Sequence, residues 1–239
     1  LGQTVNKYED GDVDFAALLR MTADVEGIQR VRFTSPHPSH FPDHLIETMA
    51  DHPKICPHTH LPLQSGSTRT LARMRRDYSA EGFLDVVHRL RDRIPDVALT
   101  TDVITGFCGE TEVDFQATYN MMEKVRFDAA FMFKYSPRSG TAAYKRLEDD
   151  VPEKEKGRRL TTIIDLQKQI SQSKNQHYVG RTVNVLVEGQ SKRDGKKLFG
   201  KTDTFKTAIF PARPGITAHT IVSVRITHVS PFTLFGEVM

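Results

Sequence analysis

The spacing of apolar positions changes character once along this chain, near Tyr178. Before that point, short β-branched or aromatic runs alternate with stretches of helical period. The runs are VRFTS (31–35), THLPL (59–63), VALTTDV (97–103) and AAFMFKY (129–135). Each has strand length and residues that fit a pleated surface. Between them, helices are predicted around 43–51, 80–94 and 112–126. In the last, Phe115, Thr118, Tyr119, Met122 and Val125 recur at helical spacing. Thr111 and Asp114 suit its start, because a hydroxyl and a carboxylate there bond free backbone amides. Strand–helix repetition predicts parallel strands with helical crossovers. The opening LGQTVNKY reads as the tail of one more strand. These units are too few for a closed eight-fold barrel, so the expectation is an α/β fold with a partial TIM-like barrel.

Asp149, Asp150 and Pro152 mark the start of a longer helix, from Glu153 to about His177. Leu160, Ile163, Ile164, Leu166 and Ile170 give it an apolar stripe for packing. After Tyr178 the period falls to two. VNVLVEG, LFGKTDT, TAIFP, TIVSVRITHVS and TLFGEVM are separated by Gly, Pro and Asp clusters. Short strands so spaced predict a small antiparallel β-barrel. The chain therefore divides into residues 1–177 and residues 178–239. Small barrels of this kind commonly bind oligonucleotides through basic and aromatic residues. Phe199, Phe205, Phe210, Phe232 and Phe235 are available, mostly as core, with about one left for base stacking.

Charge sharpens the division. Residues 1–177 carry a net −2 and residues 178–239 a net +5. A basic module on a near-neutral body fits polyanion binding, and equally fits a solvated basic surface. Composition is that of a globular protein, with 38% hydrophobic and 26% charged residues. No apolar run has the length of a membrane span. Two cysteines, Cys56 and Cys108, form no disulfide framework, and a reducing, cytoplasmic setting is expected. The chain opens on Leu1 without an initiating Met, and it reads as part of a longer protein.

Candidate chemistry collects at strand ends. VALTTDVITGFCGETE (97–112) passes from a β-branched run to Thr101 and Asp102, then to a turn with Gly106 and Gly109. HLPLQSGST (60–68) and FMFKYSPRSGT (131–141) end in the same way. One such end is most simply a tight βα turn. Three together predict a site at the C-terminal rim of parallel strands.

These stretches carry a resemblance. HLPLQSGS (60–67), RMRRDY (73–78), TTDVITGFCGET (100–111), FKYSPRSGT (133–141) and VLVEG (185–189) follow in order the pattern of the radical S-adenosylmethionine methylthiotransferases. RVRFTSPHPSHF (30–41) and VRFDAAFMFKYSP (125–137) look most like the tRNA branch, the MiaB type. Cys108 stands where that family usually has Pro. The tail resembles a TRAM domain, a small RNA-binding barrel. The resemblance implies an enzyme that adds a methylthio group to an isopentenyladenosine beside the anticodon. It implies S-adenosylmethionine and two [4Fe-4S] clusters as cofactors, and a tRNA anticodon stem-loop as partner. The family's C-x3-C-x2-C cluster motif is absent here, so the cluster ligands are expected in a missing N-terminal domain and this chain alone is expected to be inactive.

For the cofactor, the resemblance implies Gln3, Asn6, Ser35, Gln64, Ser65, Arg76, Asp102, Ile104, Tyr135 and Ser136. Arg76 suits a carboxylate, which a guanidinium grips in two-pronged fashion. Arg73 and Arg75 fit a solvated face or RNA phosphate, and His37 is a weaker candidate for the site. For RNA, the net +5 of the period-two stretch points to Lys196, Lys197 and Lys201. Three readings stay open: the tRNA enzyme, a ribosomal-protein or threonylcarbamoyladenosine methylthiotransferase, and a catalytically silent RNA-binding protein.

Overall fold

The computed structural model describes residues 4–239. The chain enters through a single 3-10 turn, Val5–Lys7, where the sequence predicts the end of a strand. Its Asn6 side chain is buried and bonds the loop at 37–40, so the segment folds around an amide rather than into a ladder. A small hairpin, β1 (Glu9–Asp10) and β2 (Val13–Asp14), leads into α1 (Phe15–Asp24). The Asp14 carboxylate accepts from Ala17 N and caps that helix. VRFTS forms no strand beyond one bridge, Val31 to Ile55. Its Arg32, and Arg30 just before it, reach the C-terminal module instead. Arg30 donates to the carbonyls of Lys201 and Asn184, and Arg32 to those of Thr202 and Asp203.

Next come α2 (Asp43–Asp51), β3 (His58–His60), α3 (Thr68–Arg73) and α4 (Ala80–Arg93). They are followed by β4 (Ala98–Thr105), α5 (Glu112–Val125) and β5 (Ala129–Lys134). Thr111 and Asp114 form a capping box at the start of α5. Strands β3, β4 and β5 make one parallel sheet in that order. Alternation sends Leu99 and Val103 into a core with Phe83, Leu90, Met122, Phe127 and Ile163. The opposite face carries Asp102 beside Phe131 and Ile104 beside Phe133, with both phenylalanines more than half exposed. A short α6 (Ala142–Arg146) precedes α7 (Glu153–Gln176), which packs against β5 and α5.

Beyond α7 five strands close a barrel: β6 (Thr182–Ser191), β7 (Asp194–Thr202), β8 (Thr207–Pro211), β9 (Ile221–Val229) and β10 (Leu234–Val238). Four of its pairings are antiparallel, as the period predicts, but β10 closes against β8 in parallel. Strand direction at a closing edge depends on the chain's route, which alternation does not encode. Val185, Val187, Phe210, Val224 and Leu234 fill the interior. A Cβ at Gly200 would lie 2.1 Å from Leu186 O, so only glycine lets the strands approach there. Among the described residues, no helix is long and apolar enough to cross a membrane.

Asp128 joins sheet, helix and barrel. Its carboxylate lies 2.6 Å from Lys174 Nζ on α7 and 2.9 Å from Lys206 Nζ of the barrel, and accepts from Leu99 N at 3.0 Å. Burial pushes this carboxyl up, but Lys206 and Lys174 outweigh it and hold it below its ordinary 3.8. Asp128→Ala leaves two inward-facing lysines unpaired and is expected to cost about 3–5 kcal/mol in urea unfolding. A depressed carboxylate contributes stability above its unfolded pKa and loses it as pH falls through the folded one. The gap in urea midpoint between the wild type and Asp128→Asn is therefore expected to stay constant from about pH 7 to pH 5, and to close below about pH 4.

Candidate functional site

The C-terminal ends of β3, β4 and β5 open into a cavity of about 590 Å³. That volume suits a ligand of nucleoside size or somewhat larger. Strand β4 brings Asp102 and Ile104 to its floor, β5 brings Phe133, and Tyr135 follows directly after β5. Gln64 continues the ladder beyond β3. Its N–H donates to Asp102 O and its carbonyl accepts from Ile104 N, at 2.8 and 2.9 Å. One wall is the end of α3 and the turn after it, with Arg73, Arg75 and Arg76, and the facing wall carries Arg138 and Arg146 around α6.

Electrostatically the cavity is lopsided. Five arginines and Lys134 line it, against one carboxylate, Asp102. Asp102 Oδ2 lies 3.2 Å from His60 Nε2, and His60 Nδ1 lies 3.0 Å from Thr100 Oγ1. His58 reaches the same Thr100 hydroxyl, and burial pushes its pKa down to about 3, so its ring is neutral. This polar row orients one oxygen of Asp102 and leaves Oδ1 with no hydrogen bond from the described residues. Tyr135 is pushed up to about 12, first by loss of solvent and then by its bond with Cys108. At neutral pH it is a phenol, packed edge-on against Phe107 at 4.9 Å. The arrangement accepts a ligand with a negatively charged end, a flat ring and hydroxyl groups.

The glycines of the strand-end turns serve packing. Gly106 and Gly109 have φ of +71° and +73°, conformations that glycine adopts without strain. A Cβ on Gly106 would meet Lys156 Cγ at 2.3 Å, and one on Gly109 the Arg73 guanidinium at 2.6 Å. Gly66 abuts the backbone of Ala117 and Thr118. Gly106 N also donates to Glu110 Oε1, and that buried carboxylate pairs with Arg159 at 2.8 Å. These turns shape the rim by bringing protein side chains close; they do not hold backbone against the cavity.

Of the residues expected at the cofactor, Gln64, Arg76, Asp102, Ile104, Tyr135 and Ser136 meet at the cavity. Ser65 is fully enclosed, its hydroxyl 3.2 Å from Thr118 Oγ1. Ser35 sits in a left-handed turn and takes a hydrogen bond from Val5 N, and Asn6 bonds the 37–40 loop; neither lines the cavity. Gln3 lies outside the described residues. Each difference has its own cause: VRFTS forms no strand to carry Ser35, the opening segment folds as a 3-10 turn around Asn6, and α5 encloses Ser65. Arg138 and Arg146 carry no sequence signal of their own, because α6 is too short for periodicity. Arg73 and Arg75 are legible in the sequence only as charge, and the turn after α3 aims them inward.

In the barrel, Lys196 and Lys197 are exposed on the β6–β7 hairpin, beside Lys192 and Arg193 at its tip. Lys197 Nζ pairs with Asp194 Oδ2 at 3.2 Å, and Lys201 is held more firmly still. Its ammonium donates to Thr207 Oγ1 at 2.7 Å and lies 4.6 Å from the Phe205 ring centre. Phe205 also touches Arg32 and His58, and so pins the barrel to the sheet. Phe210 is core, Phe235 stacks on His228, and Phe232 is 69% exposed.

The sequence has relatives that match along nearly its whole length. Proteins named tRNA-2-methylthio-N(6)-dimethylallyladenosine synthase from Chlorobium chlorochromatii, Chlorobium phaeobacteroides and Bacteroides thetaiotaomicron are 46%, 48% and 47% identical to it. Each alignment covers 99% of this chain and 53% of the relative, so the chain spans about half the length of these proteins. A solved structure of coproporphyrinogen III oxidase from Escherichia coli, described as a radical SAM enzyme, aligns with a TM-score of 0.48 at 12% identity, over 70% of this chain and 45% of that one. The TRAM domain model matches residues 176–239, the stretch that holds the closed barrel. The Radical SAM superfamily model matches residues 1–122, which carry β3, β4 and the arginine wall. With that match across half its length, the chain belongs to the radical SAM superfamily and ends in a TRAM domain.

Proposed function

We propose that this chain is the cofactor-cup and RNA-docking half of a tRNA methylthiotransferase. The reaction is addition of a methylthio group to C2 of N6-dimethylallyladenosine beside the anticodon. The observation that carries the reading is the polarity of the cavity, with Asp102 facing an arginine wall across an aromatic floor. S-adenosylmethionine has the matching layout. Its carboxylate suits the guanidinium of Arg76, its ribose hydroxyls suit the unpaired oxygen of Asp102, and its adenine suits Ile104 and the backbone at Tyr135 and Ser136. The names of the relatives support the choice of substrate.

An iron–sulfur cluster does not fit the residues of this chain. Cys56 and Cys108 are buried and neither lines the cavity, while cluster ligation needs several converging thiolates. We place the ligands of both clusters in an N-terminal part of the enzyme beyond these 239 residues, and these residues alone do not turn over. Cofactor and cluster together supply the radical chemistry; this chain binds, orients and shields. Two buried free thiols agree with a reducing, cytoplasmic setting. The barrel, basic at its β6–β7 hairpin, docks the anticodon stem-loop.

In the full-length, cluster-loaded enzyme, Asp102→Ala is expected to raise the KM for S-adenosylmethionine about tenfold or more, equivalent to about 1.4 kcal/mol. Affinity for an anticodon stem-loop should stay within about twofold of the wild type. An unchanged KM would refute the role of Asp102.

Phosphate contacts make RNA affinity fall steeply with salt. Lys196→Ala with Lys197→Ala is expected to weaken stem-loop binding and flatten the log–log salt slope by about one unit for each phosphate no longer neutralised. Titration at several salt concentrations checks this, and parallel slopes for variant and wild type would make the hairpin a solvated surface only.

A further inference from the structure

Away from the cavity, two separate segments of chain bring three ligand-type side chains together. His37 and His40 lie on the loop after the Val31 bridge, and Asp77 lies between α3 and α4. One ring nitrogen of each histidine and one oxygen of Asp77 all lie within 4.8 Å of one another. We infer that His37, His40 and Asp77 form a binding site for a divalent transition metal such as zinc, with its remaining positions open to water. This inference goes beyond the proposed activity and does not depend on it.

The donor set is the first reason. Two imidazoles and one carboxylate suit zinc, cobalt or nickel, and suit magnesium or calcium poorly. Preorganisation is the second. The buried Asn6 amide donates to His37 O at 2.9 Å and to His40 O, and its oxygen accepts from His37 N at 2.7 Å. One side chain thus fixes the backbone of both histidines. The His37 ring packs edge-on against Tyr78 at 5.4 Å, and Ser39 Oγ donates to Asp77 Oδ1 at 3.2 Å. In the metal-free site Ser39 N donates to His37 Nδ1 at 3.3 Å, which puts the ring proton on Nε2, 3.2 Å from Asp77; ligation through Nε2 moves that proton to Nδ1 and releases the Ser39 bond.

The same surroundings limit affinity. Asp77 is the single anionic ligand, and Arg76 places a positive charge nearby. The Asp77 side chain is 68% exposed, so an ion there exchanges with solvent. The position gives the site a consequence. Asp77 directly follows Arg76, and Arg73 to Arg76 form the cationic wall of the cavity. A metal bridging Asp77 to the His37–His40 loop pins that wall to the body of the sheet domain.

The test is cobalt(II) titration of this 239-residue chain, followed by visible absorption, with His40→Gln and Asp77→Asn as variants. One ion per chain is expected for the wild type, with binding at least tenfold weaker in each variant. Zinc is expected to raise the urea midpoint of the wild type and to leave both variants unmoved. Circular dichroism and the metal-free midpoint report folding, and Asp77→Asn changes an exposed group that the fold does not need. Absence of saturable one-to-one uptake by the wild type, or wild-type affinity in both folded variants, would overturn the inference.

Discussion

A single buried carboxylate ties the three parts of this molecule together. Asp128 begins the turn into β5, bonds the backbone of Leu99 on β4, and receives lysines from α7 and from the barrel. Charges taken out of water are costly unless paired in good geometry. That cost makes the arrangement specific, because a shift of α7 or of the barrel would strand a buried charge. Around it, Gln167 donates to Phe127 O and Ser171 to Asp128 O, which leaves the start of β5 well bonded. The barrel is fastened again by Arg30 and Arg32 through its backbone carbonyls, and by Phe205 against His58. The barrel is therefore held at a defined place relative to the sheet.

The cavity inherits its shape from the same frame. Parallel register sets Asp102 beside Phe131 and Ile104 beside Phe133, so polar and aromatic groups share one open face. Left-handed residues then turn the chain at the rim. Gln64 and Arg75, both with φ near +60°, lie where the ladder ends and where the arginine wall begins. Glycines at 106 and 109 let Lys156 and Arg73 close against the β4–α5 turn. The rim is thus built by tight contact within the chain, and its positive potential comes mostly from arginines on short segments, with Lys134 at the end of β5.

Several elements are legible in the sequence because their signals are local. Helices α2, α4, α5 and α7 show helical period, with side-chain caps at the starts of α4 and α5, and β4 and β5 are long β-branched or aromatic runs. The switch to period two marks the barrel. Other elements give little local signal. Helix α3 has six residues and α6 five, too short for periodicity to speak. VRFTS has the composition of a strand, yet Arg30 and Arg32 are drawn to barrel carbonyls more than 150 residues away.

By itself, the sequence determined the class of each long element, the division into a parallel α/β body and a basic barrel, and the strand ends that carry Gln64, Asp102, Tyr135 and Ser136. These follow from side-chain period and turn chemistry, which act over a few residues. Only the tertiary structure decided which polar residues share a cavity. It enclosed Ser65 behind α5, spent Asn6 on the 37–40 loop, tied Lys201 to Thr207, and turned the arginines after α3 inward. Each of those outcomes depends on a partner distant in the chain. Hydrogen bonds and charges are satisfied in space, and a linear pattern does not say which distant group will satisfy them.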